Sequence, residues 1–178
     1  MENKGLWEKC VAFHGHECGG LTIGYKAALY AGKLLGLEDS MEKQDEEIVC
    51  ISENDACGVD AVQVLLGCSI GKGNLLFHMT GKQAFSFYRR KTGESVRLVL
   101  KKKEKMSREQ SFAYYQQCEP EEMFDVKETK IQVPERAVLF DTYVCDGCGE
   151  LTGANWIHLQ GGKHLCTDCC HKYDRFHI

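Results

Sequence analysis

The sequence lacks the features that would place a protein in a membrane, outside the cell or on nucleic acid. No apolar run approaches the ~20 residues that span a bilayer, and the 178 residues include only two prolines. The first residues lack the basic, apolar and small-residue order of a signal peptide. The net charge of −4 creates no field that attracts phosphate. We therefore expect a cytoplasmic protein without membrane association, for which nucleic acid is not the expected partner.

Cysteine, in contrast, is abundant, with eleven residues. An odd number in a chain without an export signal argues against a disulfide framework, so we expect metal binding or thiol chemistry. Four of the eleven lack a chemical context and are interpreted as small core residues: Cys10, Cys50, Cys68 and Cys118.

The clearest metal-binding pattern is C-x2-C, then seventeen residues, then a second C-x2-C. Each two-residue spacer lets two thiolates from one tight turn converge on one ion. The segment 141–178 is too short for a core of its own, so metal binding would supply much of its folding free energy. The pattern predicts a structural zinc finger with four ligands: Cys145, Cys148, Cys166 and Cys169.

Several alternatives for this finger stay open on sequence alone. The thiols could form a redox dithiol pair, remain reduced or hold an iron–sulfur cluster, and Cys170 or His171 could replace Cys169. A helix continuing from Thr167 would make the finger a treble clef rather than a ribbon. Five acidic and three basic residues lie in this segment. That balance favours protein contacts or dimer stabilisation over phosphate binding.

The apolar pattern of the remaining chain predicts the order helix, strand, helix and then three strands. The helices are predicted at 6–13, 21–35 and 57–67, and the strands at 48–52, 74–79, 83–90 and 95–100. Short turns would join the last three strands as hairpins. Ser107 and Gln110 form a capping-box signature for a further helix, which Pro120 would end. We therefore expect an α+β core domain at 1–140 with a mixed, largely antiparallel sheet.

The loop His14-Gly15-His16-Glu17-Cys18-Gly19-Gly20 opens a predicted helix. Two imidazoles and a thiol within five residues are good metal ligands, and the N–H groups at a helix start favour an anion or a thiolate. The alternative is a helix-capping loop whose histidines are hydrogen-bonded.

A second segment, ENDACGVD at 53–60, places Cys57 in the first turn of another predicted helix. The helix dipole there would lower the pKa of the thiol, and Asp60 follows on the same face at i+3. Cys57, His16 and Asp60 are therefore candidate catalytic residues. A buried and inert Cys57 is the alternative.

A third segment, GCSIGKGN at 67–74, is a glycine-rich loop with a lysine. Lys72 and Asn74 could bind the phosphate of a cofactor, although the loop lacks the G-x4-G-K-[ST] frame. A plain helix-to-strand connection is the alternative. The stretch 89–108 carries nine basic and two acidic residues, which is typical of a solvated strand end or, alternatively, of an anion-binding surface.

The segments HGHECGGLTIG at 14–24 and DACGVDAVQVLLGCSIGKGN at 55–74 resemble the FmdE-like family, which is named for the E subunit of formylmethanofuran dehydrogenase. The resemblance spans the core, and the four-cysteine finger is similar to that of a subset of the family. Gly19 departs from the proline that relatives often carry after the cysteine. The resemblance implies a core similar to the catalytic-domain fold of glyceraldehyde-phosphate dehydrogenase. It also implies intertwined homodimers for members that carry the finger.

The resemblance further implies a functional context. The parent enzyme is a molybdenum or tungsten, iron–sulfur system that fixes carbon dioxide as a formyl group, and this chain resembles none of its pterin-binding subunits. By the resemblance, the histidine–cysteine loop and Cys57 fall in the family's candidate active-site cleft. We therefore hypothesise a second metal site, in the core, with four ligands: His14, His16, Cys18 and Cys57.

Three functions compete on these grounds. The first is a metal-binding accessory or regulatory protein that docks on a redox-enzyme partner. The second is a small thiol- or metal-dependent enzyme that uses Cys57 and the HGHEC loop. The third is a zinc-finger transcriptional regulator or metal sensor. The sequence favours them in this order, and the acidic finger opposes the third, because phosphate binding requires positive charge.

Overall fold

The computed structural model describes residues 4–37, 47–173 and 175. The chain divides into two compact units, Met1–Ala137 and Val138–Ile178. None of the described helices is long and apolar enough to cross a bilayer.

The first unit has the α+β architecture that the sequence predicts. Its helices α1 to α5 span Lys4–His14, Gly19–Leu34, Gly58–Leu66, Arg108–Gln117 and Pro120–Met123. Its strands β1 to β5 span Ile48–Ser52, Leu75–Phe77, Ala84–Arg89, Ser95–Leu100 and Phe124–Lys127. The capping box at Ser107 is present, and Pro120 begins α5 at a position where its missing N–H costs nothing.

The five strands form one mixed sheet in the order β2-β1-β3-β4-β5. Strand β2 runs parallel to β1, and the other pairs are antiparallel. The hairpin predicted between β2 and β3 is therefore wrong, because β1 lies between them. The intervening segment instead wraps around the end of β1, where the N–H groups of Thr80 and Gly81 both donate to Glu53 O.

Helix α2 is the centre of the helical layer and packs against α1, α3 and α4. The main core joins its buried face to one side of the sheet, which contributes Cys50, Phe85, Phe87 and Leu98. Alternate residues of β1, Val49 and Ile51, form a small apolar cluster on the opposite side. This alternation is the period of two that strands impose on their side chains.

Helices α2 and α3 approach closely where two glycines face each other. A Cβ atom at Gly24 would overlap the backbone of Gly58, including its carbonyl oxygen. A Cβ at Gly58 would in turn lie 3.1 Å from Gly24 Cα. The contact therefore requires glycine at position 24, and it brings the N-terminal ends of α2 and α3 together.

The loop between β1 and α3 is held by a buried ion pair. Arg97 Nε donates to Glu53 Oε1 over 2.5 Å, and both side chains are almost fully buried. The Arg97 guanidinium, and then the Thr80 hydroxyl, hold the pKa of Glu53 below its usual range. Asn54 continues this network, because its side chain accepts from Ala56 N–H and donates to Lys82 O. The chain thus arrives at Cys57 in a fixed conformation.

The second unit consists of two separate antiparallel ribbons. Its strands β6 to β9 span Thr142–Val144, Leu151–Gly153, His158–Gln160 and Lys163–Leu165. A helix from Thr167 is absent from the described residues 167–173, which form a turn and then an irregular segment. The backbone of His171 instead bonds to the side chain of Gln160 in β8, which draws the chain away from a helical path. The finger is ribbon-like.

Candidate metal centres

The four cysteines of the finger converge on one point. Their sulfur atoms all lie within 4.8 Å of one another. Cys148 Sγ and Cys166 Sγ are 4.0 Å apart, close to the ~3.8 Å that tetrahedral geometry gives for two sulfurs with ~2.3 Å bonds to zinc. The alternative ligands Cys170 and His171 are not members of this cluster. The donor set fits a single metal ion.

Glycines shape the turn that carries the first pair of thiols. A Cβ atom at Gly147 would lie 2.9 Å from both Cβ and Sγ of Cys169, so a side chain there would push the two pairs apart. Gly149 has a φ of +78°, which favours glycine. Its N–H donates to Cys145 O over 2.8 Å and closes the turn.

The electrostatics of the finger suit a cation. Backbone N–H groups, that of Cys166 first and that of Cys148 next, lower the pKa of Cys145 to about 6. The neighbouring thiols, that of Cys166 first, raise the pKa of Cys169 to about 12. A shared divalent cation would offset this mutual repulsion and let all four sulfurs ligate as thiolates.

A second cluster lies in the core, where α1 ends and where α2 and α3 begin. His14 is the last residue of α1, Cys18 is the N-cap of α2 and Cys57 is the N-cap of α3. One donor atom from each lies within 4.8 Å of the other two. His14 Nε2 is 3.8 Å from Cys18 Sγ, against ~3.6 Å for nitrogen and sulfur on one tetrahedral zinc ion. Three of the four predicted core ligands are thus within reach of one ion.

Asp60 orients the imidazole of this cluster. His14 Nδ1 lies 2.7 Å from Asp60 Oδ2, and Gln63 Nε2 donates to the other carboxylate oxygen over 3.1 Å. A carboxylate accepts, so His14 Nδ1 donates to Asp60 and Nε2 is the ring nitrogen that faces Cys18. Metal-bound histidines characteristically have such a carboxylate partner. The sequence placed Asp60 on the face of Cys57 but did not reveal its bond to His14.

His16, the fourth predicted ligand, lies beside the cluster rather than in it. Its side chain is exposed, and its ring centroid is 4.5 Å from that of His14. Gly15, with a φ of +90°, turns the chain between the two histidines. Glu17 is tied back to α1, because Trp7 Nε1 donates to its carboxylate over 3.0 Å. His16 is therefore at the rim of the site, where it could contact a ligand of a bound ion.

The expectation of a low pKa for Cys57 is wrong. Burial, and next the hydrogen bond with Cys18, raise the pKa of the Cys57 thiol above its ordinary value. These contributions outweigh the backbone N–H hydrogen bond at the start of α3, which acts in the opposite direction. Without a cation, Cys57 is not set up as a reactive thiolate.

The candidate cofactor residues Lys72 and Asn74 lie at the other end of α3. Asn74 is buried, where its side chain accepts from Ser69 N–H and donates to Ile48 O. Lys72 Nζ donates to Gly67 O at the C-terminal end of α3. That end carries the negative pole of the helix dipole. The loop thus has the bonding of a helix-to-strand connection, about 13 Å along α3 from Cys57 at 1.5 Å per residue.

Several residues of the basic stretch 89–108 have structural partners. Arg97 is in the buried ion pair, Arg89 donates to Leu35 O and Arg90 donates to Pro134 O. Lys103 lies over the ring of Tyr114 at 5.0 Å from its centroid. These contacts give part of the basic stretch a structural role.

Fold and sites together define an α+β protein with a three-donor cluster in its core and a four-cysteine finger. The family model described as FmdE, molybdenum formylmethanofuran dehydrogenase operon, matches residues 13–139. The chain belongs to this FmdE family, which confirms the resemblance seen in its motifs.

Two similar proteins illustrate the relationship. The first is a protein from Syntrophus aciditrophicus, described as like the E subunit (FmdE) of tungsten formylmethanofuran dehydrogenase. Its crystal structure matches this chain with a TM-score of 0.68 and 28% sequence identity, and the match covers 91% of this chain and 88% of that one. A probable S-adenosyl-L-methionine-binding protein from Archaeoglobus fulgidus is 30% identical over 191 residues. That match covers 90% of this chain and 51% of the relative, so the chain spans about half the length of the curated relative.

Proposed function

We propose that this chain is a metal-binding accessory protein whose core holds one soft divalent cation on His14, Cys18 and Cys57. The observation that carries the proposal is the convergence of these three donor atoms within 4.8 Å, with Asp60 orienting the imidazole. Two thiolates and an imidazole suit zinc, and three protein ligands leave a fourth position for an exogenous ligand. The finger binds a second zinc ion, which is structural.

The accessory role is supported by the family's association with formylmethanofuran dehydrogenase. In this role the protein docks on a redox-enzyme partner and presents its core ion. A free thiol enzyme is less well supported, because burial and Cys18 raise the pKa of Cys57. A metal-dependent enzyme would use the same three ligands and the open position. Both sites need reduced thiols, which suits a reducing compartment such as the cytoplasm.

The metal content of purified variants tests the core site. Cys18→Ala should retain one zinc per chain where the wild type holds two, because it removes a ligand from one cluster only. Co²⁺-substituted protein should lose part of its thiolate-to-metal charge-transfer absorption in the same variant. Cys170→Ser is the matched control, since Cys170 is outside both clusters, and it should keep both ions. A Cys18→Ala protein that retains the full metal content would refute the core site.

We also propose that the finger unit contacts a second copy of the chain. Several large apolar side chains of this unit are fully or mostly exposed: Leu139, Leu151, Trp156 and Leu159. Large apolar side chains that remain exposed in this number suit an interaction surface. Light scattering should give about twice the 20.1 kDa chain mass, and Leu139→Lys/Leu151→Lys should shift the mass towards one chain. A monomeric wild type would contradict the proposal.

A further inference from the structure

The core cluster contains a pair of thiols as well as a metal-ligand set. Cys18 and Cys57 cap different helices, α2 and α3, yet their sulfurs lie within 4.8 Å of each other. Both side chains are partly exposed, so a small solute can reach them. The cluster therefore combines proximity with access, the two conditions for thiol oxidation.

The backbone brings the start of α2 against Cys57. A Cβ atom at Gly20 would lie 3.1 Å from Cys57 Cβ and 3.9 Å from Cys18 Sγ, so the start of α2 runs directly against Cys57. The Gly24–Gly58 contact holds the two helices at this separation. To form a bond, the sulfurs must close to the ~2.05 Å of a disulfide.

We propose that Cys18 and Cys57 form a reversible disulfide on exposure to a hydroperoxide, and that this disulfide is the redox switch of the core metal site. The release of metal on oxidation rests on the core site proposed above, whereas the disulfide itself does not. Oxidation converts both sulfur ligands into a disulfide that binds cations poorly, and leaves His14 as the one remaining donor of the cluster. A thiol reductant restores the ligands.

The chemistry balances with a hydroperoxide as the oxidant. The thiolate of Cys18 attacks the terminal oxygen, the O–O bond breaks, and the products are a sulfenic acid on Cys18 and, after protonation, water or an alcohol. The Cys57 thiol then loses its proton as its sulfur attacks the Cys18 sulfur, and the hydroxide that leaves takes up a proton to become water. Two thiols lose two electrons in total, and the peroxide gains them. We assign the first attack to Cys18 because its Sγ already accepts the Leu21 N–H bond over 3.3 Å.

A second cysteine pair provides an internal control. Cys50 and Cys68 lie in the same apolar core cluster, and both are fully buried. If proximity were the only condition for oxidation, both pairs would oxidise. If access to the oxidant is also needed, only Cys18 and Cys57 would oxidise.

The test is disulfide mapping of the full chain after metal removal and brief treatment with hydrogen peroxide. Digestion with trypsin and a glutamate-specific protease separates Cys18 from Cys10 at Glu17, and Cys57 from Cys50 at Glu53. Fragmentation then distinguishes Cys57 from Cys68. We expect roughly tenfold more Cys18–Cys57 linkage than Cys50–Cys68 linkage, reversal by dithiothreitol, and protection when zinc is restored.

Each outcome bears on a separate claim. In the Cys57→Ser variant the sulfenic acid on Cys18 has no thiol with which to condense, so its adduct with dimedone, a reagent for sulfenic acids, should increase. This labelling also tests the pair if the disulfide is short-lived. Absence of both the disulfide and the dimedone adduct would overturn the switch, even if metal analysis upholds the core site. Linkage that zinc does not suppress would uphold the disulfide but remove its connection to the metal site.

Discussion

Replacing Cys145 with serine should release the metal ion of the finger and unfold residues 138–178, while the core stays folded. Among the described residues of this unit, only Cys145 and Leu165 are buried. So small an apolar core cannot offset the conformational entropy of ordering the segment. A structural zinc ion contributes about 10–16 kcal/mol of binding free energy in such fingers. The free energy lost with the ion is therefore larger than the contacts of the two ribbons can supply.

Cys145 is the most informative of the four ligands to change. Its Sγ accepts the N–H groups of Cys166 and Gly147 over 3.2 and 3.4 Å, so it connects the first thiol pair to the second. The measurement combines metal analysis with limited proteolysis, which should cut the variant's finger and spare its core. Cys170→Ser is the matched control and should behave as wild type. A Cys145→Ser chain that keeps the finger ion and resists proteolysis would show that the ribbons fold without the metal.

The sequence predicted the fold most successfully where the signals were local. The capping box at Ser107, the amphipathic pattern of α2 and the apolar strand β1 each depend on residues close together in the chain. Strand pairing depends on residues far apart in the chain. The turn at 80–82 therefore suggested a hairpin of β2 with β3, although β2 pairs with β1, which separates it from β3. Strand β5, with the sequence FDVK, was missed because four residues with a charge at the second position carry little strand signal.

The candidate sites show the same division. Two short motifs predicted that His14, Cys18 and Cys57 would meet, and the structure brings their donor atoms together. The position of His16 depends on the turn at Gly15 and could not be read from spacing. The pKa of Cys57 depends on burial and on Cys18, which is far away in sequence. A rule based on the helix terminus alone therefore gave the wrong direction for the pKa shift. The sequence thus predicted which residues come together, but it did not predict how far each of them is exposed to solvent.

The largest destabilisation from a change within the core is expected for Gly24→Ala. A Cβ atom there would overlap the backbone of Gly58, and backbone cannot rotate away as a flexible side chain can. Overpacking commonly costs about 1–3 kcal/mol and occasionally more, and we expect at least about 3 kcal/mol here because the obstruction is backbone. Urea unfolding followed by circular dichroism measures the loss of free energy.

Gly32→Ala provides a matched control within the same helix. No heavy atom lies within 4 Å of a Cβ built at Gly32, so alanine there should stabilise α2 by about 0.5–1 kcal/mol through its higher helix propensity. The two substitutions add the same methyl group to α2, so a difference in sign isolates the contact between helices. That contact also sets the separation of Cys18 and Cys57, so Gly24→Ala should weaken zinc binding in the core and leave the finger ion in place. Equal stabilities for the two variants would mean that α2 and α3 can separate at little cost, and the thiol pair would then have to be positioned by something other than this glycine contact.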